Sequence, residues 1–186
     1  MIASVCHPKG AYLWFPCKES LQDKSDSVYI DIRIDDRKVE QLFVDPKTKE
    51  QSRKSMSVIA VSNGMLEGIK KIDAQKQYLW RHRYPIAPQH VLIAISNFVK
   101  AESSFKGKGY SFPLNFYVLP QNLKKSKSMI RRIPEIMACL TNTFGPYPYR
   151  KEGFNVTQVG IPMGLAGMPT QSNVLLEDMK ATNMYK

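Results

Sequence analysis

Val28-Tyr29-Ile30-Asp31-Ile32-Arg33-Ile34-Asp35 alternates apolar and polar side chains with period two. That is the pattern of a strand with one face in a core and the other in water. Asp31, Arg33 and Asp35 then share the wet face, and a solvated face accounts for them without a paired-carboxylate site. Val58-Ile59-Ala60-Val61 reads as a short strand stopped by the turn signal Ser62-Asn63-Gly64. Gln77 to Tyr84 and Val91 to Val99 read as two more strands, separated by Pro85 and Pro88. Leu114 to Leu119 follows a turn at Lys106-Gly107-Lys108-Gly109. From Asp36 to Ser57 the chain is polar, with a turn signal at Asp45-Pro46; a long loop is expected there, with a short strand around Val39 to Val44.

The period changes after Pro120. Leu123, Ile130, Ile133, Met137 and Leu140 lie on one helical stripe, with Asn122 placed to cap it. Pro134 sits inside that stripe, which predicts a kink or two helices meeting there. Phe144-Gly145-Pro146 ends the helical stretch. Phe154 to Val159 and Gln171 to Leu176 read as strands of a second unit. The fold class is therefore α+β, mostly β: an antiparallel β-rich domain over residues 1–119, then a helix and strands over 120–186.

The 186 residues are 43% hydrophobic, 10% aromatic and 23% charged, a composition that supports a packed core and excludes wholesale disorder. No run approaches the roughly 20 apolar residues of a membrane helix. No basic-then-apolar leader precedes Phe15. Cys6, Cys17 and Cys139 form no C-x-x-C pair or disulfide framework, so free thiols are expected, with nothing to support a Cys6–Cys17 bridge. Asn155-Val156-Thr157 matches the N-glycosylation pattern, a match too common to carry weight alone. The net charge of +11 gathers at Lys47-Lys49-Arg53-Lys54, at Lys70-Lys71 and at Lys124-Lys125-Lys127 with Arg131-Arg132. Such clusters can neutralise phosphates, yet no nucleic-acid motif or aromatic-rich pattern accompanies them, and a solvated basic face is the favoured reading.

No catalytic constellation assembles from the residues alone. His7, His82 and His90 are the only histidines, and no two have the i, i+4 spacing of a metal-binding helix. His82 shares a strand face with Tyr78, Trp80 and Tyr84, which favours a packed, hydrogen-bonded histidine. Phosphate-loop, dinucleotide and serine-elbow patterns are absent.

An ordered series of short motifs nevertheless resembles the aminopeptidase N family of zinc metallopeptidases. The series is Trp14-Phe15-Pro16-Cys17 with Asp23-Lys24-Ser25-Asp26-Ser27, Ala60-Val61-Ser62-Asn63-Gly64, Trp80-Arg81 to Tyr84-Pro85-Ile86, Asn115 to Pro120, and Phe144-Gly145-Pro146-Tyr147-Pro148. Val159-Gly160-Ile161-Pro162 and Gly167-Met168-Pro169-Thr170 follow. The resemblance implies a saddle-like β sandwich packed on a thermolysin-like domain, zinc as cofactor and peptides as substrates. It implies that Gly167 and Met168 belong to the peptide-binding strand, with Pro169 standing where that strand's glutamate is expected and Thr170 where asparagine or histidine is. The H-E-x-x-H helix is absent from the 186 residues, so the chain is expected to be a fragment. It would lack early β strands and most of the catalytic domain, hold no zinc, and be inactive alone. A non-catalytic basic module that binds an acidic partner or nucleic acid is the alternative.

Overall fold

The computed structural model describes residues 1–4, 12, 14–18, 24–35, 39–44, 51–159, 169–170 and 173–177. Of these, 39–44, 51–56, 169–170 and 173–177 are described by backbone alone.

The alternating stretch forms β2 (Val28–Asp35), with Ile30 and Ile32 buried and Asp31 and Arg33 exposed. It pairs antiparallel with β7 (Gln75–His82), Ile30 opposite Trp80 and Ile32 opposite Tyr78. β6 (Met65–Ile72) pairs with the far side of β7 and completes a three-stranded sheet. β1 (Ile2–Ala3), β8 (Ile93–Ser96) and β5 (Ile59–Ser62) form a second antiparallel sheet, with β8 in the middle. The inner faces of the two sheets meet in one core of Ile30, Ile32, Tyr78 and Trp80 against Ala60, Val61 and Ala94. Burying each large side chain there contributes about 1.5–3 kcal/mol. β3 (Val39–Val44) and β4 (Gln51–Met56) form a hairpin ladder.

β9 (Val99–Gly107) and β10 (Tyr110–Val118) form a hairpin across the Lys-Gly-Lys-Gly turn, of which only the stretch from Leu114 was expected as strand. α1 (Leu123–Phe144) then returns the chain so that β11 (Phe154–Val159) pairs parallel with β10. β13 (Asn173–Glu177) pairs parallel with β11, and β12 (Pro169–Thr170) lies antiparallel on its outer side. The resulting order is β12-β13-β11-β10-β9. Residue 119 therefore lies inside a β–α–β unit, between strands that are hydrogen-bonded neighbours.

This sheet has two dry faces. Phe112, Leu114, Phe116 and Val118 follow one another at period two and pack against Ile130 and Met137 of α1. Tyr117 and Val159 point the other way and join the core of the first two sheets, with the Tyr117 and Trp80 rings edge to face at 6.1 Å. The sheet is thus a middle layer between helix and sandwich, and the whole is α+β, mostly β.

Several expectations change. The polar stretch 36–57 contains β4 as well as β3, so it is not mainly loop. β6 occupies Met65–Ile72, where no strand was read, because a bulge between Leu66 and Gly68 breaks its alternation. The stretch Val91 to Val99 is not one strand: β8 ends at Ser96 and β9 starts at Val99. α1 is one helix that carries Pro134 in its interior, where two helices meeting had been one expectation. The lost hydrogen bond is tolerated because Ile130 and Met137 anchor both sides of it. Leu140, assigned to the buried stripe, is 46% exposed, and Phe144 is 81% exposed. Asn122 occupies the cap position without a side-chain capping bond; Ser126 Oγ instead donates to its carbonyl at 3.0 Å.

Candidate functional site

Polar chemistry concentrates where the sandwich meets the middle sheet. Period-two burial along β7 carries His82 to the seam, fully shut off from solvent. There its Nδ1 lies 2.5 Å from Oε2 of Glu152, whose side chain is equally enclosed. The two atoms are in contact distance without hydrogen-bond angles. The other carboxylate oxygen, Oε1, accepts the backbone N–H of Arg83. An imidazole beside a carboxylate is a general-base arrangement on paper. With no access for substrate or water, this one acts as a latch between the layers.

The Ser62-Asn63-Gly64 turn supplies a second latch. Asn63 Oδ1 accepts from Leu92 N at 2.6 Å, and Ser62 Oγ donates to Leu92 O at 2.5 Å. Asn155 Nδ2, on β11, donates to Gly64 O at 3.1 Å, while its Oδ1 accepts from Asn115 Nδ2 at 2.9 Å. Asn155 and Thr157 are 1% and 0% exposed, so the glycosylation pattern is an interior strand that a glycan could not reach in the fold.

Beside the latch runs an aromatic row. Tyr84 and Tyr149 stand edge to face at 5.2 Å, and Tyr147 meets Tyr149 at 5.8 Å and Phe112 at 5.4 Å. Burial, then the neighbouring Tyr149, Glu152 and Tyr84, pushes the Tyr147 phenol well above its ordinary range. Burial, then Glu102, does the same for Tyr117. Neither supplies a phenolate for catalysis near neutrality. For such raised groups the stabilisation is complete below the unfolded value of about 10 and is lost as pH rises through the folded value. An alkaline spectrophotometric titration is expected to show two phenols that resist ionisation until the fold gives way. Ionisation of all nine tyrosines in one reversible step near pH 10, with the fold intact, would contradict this.

A cleft of about 590 Å³ lies between the β9–β10 hairpin and the C-terminal half of α1, lined among others by Phe105, Lys106, Lys108, Tyr110, Thr141 and Asn142. Its lining includes neither carboxylate nor imidazole, so it offers binding surface without acid–base machinery.

Gly167 and Met168 lie outside the described residues. Their neighbours Pro169 and Thr170 form β12, at the end of the five-stranded sheet, opposite Val174 and Asn173. Proline belongs at such an edge, where a missing N–H breaks no inner ladder. The described residues do not fit a zinc site. Among the described residues no three His, Cys, Asp or Glu side chains converge. His82 is engaged with Glu152, and His90 ends a single 3-10 turn at Pro88–His90. Cys17 and Cys139 are free thiols. Sequence reasoning read His82 as a packed histidine of the core or its rim, and it missed Glu152 and Asn155. Asn155 gave no signal, because β11 reads Phe-Asn-Val-Thr-Gln-Val and its alternation looks like that of a half-solvated strand.

No known protein-family description matches the chain, and no curated protein does. Among solved structures, it is similar to an M1 zinc metallopeptidase from Deinococcus radiodurans, with a TM-score of 0.65 and 12% identity over 93% of this chain and 35% of that one. A mutant of that metallopeptidase bound to a Tyr-Ser-Ala substrate matches at 0.62 and 14% identity, over 91% of this chain and 36% of that one. Legionella pneumophila aminopeptidase A in complex with aspartic acid matches at 0.68 and 18% identity, over 94% of this chain and 18% of that one. The chain thus spans about a third of the length of the first two and less than a fifth of the third. At these identities the likeness shows the fold.

Proposed function

We propose that this chain forms the β-rich domain and the start of the catalytic domain of an aminopeptidase of the M1 zinc metallopeptidase type. The observation that carries the reading is the three-layer arrangement itself, which superposes over 93% of the chain on a zinc metallopeptidase and ends in the short edge strand β12. In this reading the catalytic unit starts at β9, since β9 to β13 share one sheet. Gly167 and Met168 would belong to the peptide-binding strand, and β12, next in sequence, would offer a backbone edge to an extended peptide. Pro169 cannot donate a main-chain hydrogen bond there, and it brings no carboxylate to hold a free α-ammonium group. Losing one charge-assisted hydrogen bond costs about 1.5–3 kcal/mol, so selection for free N-termini would be weakened.

The zinc helix would come from a catalytic domain outside these residues. Expressed alone, the 186-residue chain is expected to bind no stoichiometric zinc and to leave aminoacyl fluorogenic substrates intact. Co-expressed with a zinc-bearing catalytic domain of the same type, it is expected to give chelator-sensitive hydrolysis above that of the domain alone. Stoichiometric zinc and unaided peptide trimming by the purified chain would overturn the reading, as would no gain on co-expression. The second reading, a basic interaction module, draws on the five cations on α1 against one carboxylate; salt-dependent retention on DNA with no effect on hydrolysis would favour it.

A further inference from the structure

α1 uses one face on the sheet and leaves an apolar one uncovered. Ile130 and Met137 are buried, whereas Met129, Ile136, Leu140 and Phe144 are 45%, 49%, 46% and 81% exposed. Their spacings of seven, four and four put these four on one line along the helix. Lys125 and Arg132, both exposed, fall on the same line, at the N-terminal end. From Ile136 to Phe144 there is no charged residue. The outer face therefore has a cationic half and an apolar half, about 22 Å of ridge from Met129 to Phe144.

We infer that this face docks an amphipathic helix of a partner protein, with carboxylates against Lys125 and Arg132 and aliphatic side chains against Ile136, Leu140 and Phe144. A regular ridge at helical spacing is what a second helix packs into. The charge selects the partner's sign: with +11 on each chain, a second copy is repelled at long range. A helix lying on a membrane sets its cations on the face opposite its apolar one, whereas Lys125 and Arg132 continue the apolar line itself. The inference is independent of the peptidase reading, since either kind of protein could carry such a surface.

The test uses the full chain and a fluorescein-labelled helical peptide of about 18 residues, with leucines at heptad spacing and glutamates flanking one end. A twin carries lysine at every glutamate. The glutamate peptide is expected to bind and the lysine twin not. Ile136→Ser with Leu140→Ser is expected to weaken binding by at least about tenfold. Lys125→Glu with Arg132→Glu is expected to weaken the glutamate peptide about tenfold and to confer binding on the twin. All four side chains are exposed, so circular dichroism and melting should match the parent. Equal affinity for both peptides, or indifference to either double substitution, overturns the inference. So does a dimer in light scattering that Ile136→Ser dissolves, or binding to phosphatidylserine vesicles but not to the peptide.

Discussion

Glu152→Ala is expected to destabilise the fold by about 3–5 kcal/mol, the range for removing one member of an enclosed pair. The carboxylate has two obligations, to Nδ1 of His82 at 2.5 Å and to the backbone N–H of Arg83. Alanine abandons both in a place where both side chains are 0% exposed, so the partners are left without bulk solvent. In a chain of this length such a loss lowers Tm by about 6–20 °C. Urea denaturation should show it, with Glu152→Gln falling between alanine and the parent because an amide oxygen can still accept from Arg83. His82→Leu combined with Glu152→Leu should recover much of the loss, since uncharged residues of similar bulk leave no stranded charge. A loss under about 1 kcal/mol for alanine would mean that the pair is not a latch.

Gly64→Ala is expected to cost more than about 4 kcal/mol, beyond the usual range for a surface turn. Gly64 has φ +81°, and a Cβ there would stand 2.0 Å from the carbonyl oxygen of Arg81 and 2.7 Å from Cα of His82. The left-handed backbone alone accounts for about 1–2 kcal/mol. The remainder comes from forcing β6 away from β7, which also pulls Gly64 O from Asn155. Gly64→Asn separates the two causes, since asparagine tolerates positive φ but brings the same Cβ. Both variants should yield little soluble protein and melt early. A parent-like melt for Gly64→Asn would show that the turn can open without disturbing its neighbours.

Local pattern made the elements with strong periodicity legible. β2 follows from its alternation and α1 from its stripe; of the β9–β10 hairpin only the strand from Leu114 onward was read, and β9, on the other side of the glycine-rich turn, was not. β6 was hidden because Gly68 and its bulge shift the phase, while Lys70 and Lys71 look like a solvated loop. β4, Gln-Ser-Arg-Lys-Ser-Met, has almost no strand propensity of its own; its pairing with β3 supplies what its residues do not. The second latch could be suspected from Ser62-Asn63-Gly64. The first could not, because Glu152 sits in an exposed-looking Arg-Lys-Glu-Gly run, and its partner at Arg83 is 69 positions away. Distances of that kind are set by how whole layers stack. The candidate peptide-binding pair, Gly167 and Met168, was named from family likeness and lies outside the described residues.

β1 bonds to β8, and Ile93 N–H is received by Ser4 across 89 positions. On the ribosome the first strand therefore emerges long before its neighbour exists. It must wait through the making of half the chain, and Asn155 closes onto Gly64 later still, across 91 positions. Assembly of this kind is slow and leaves sticky intermediates, so recovery from the cell should hinge on chaperone supply and growth temperature more than on the strength of the finished fold.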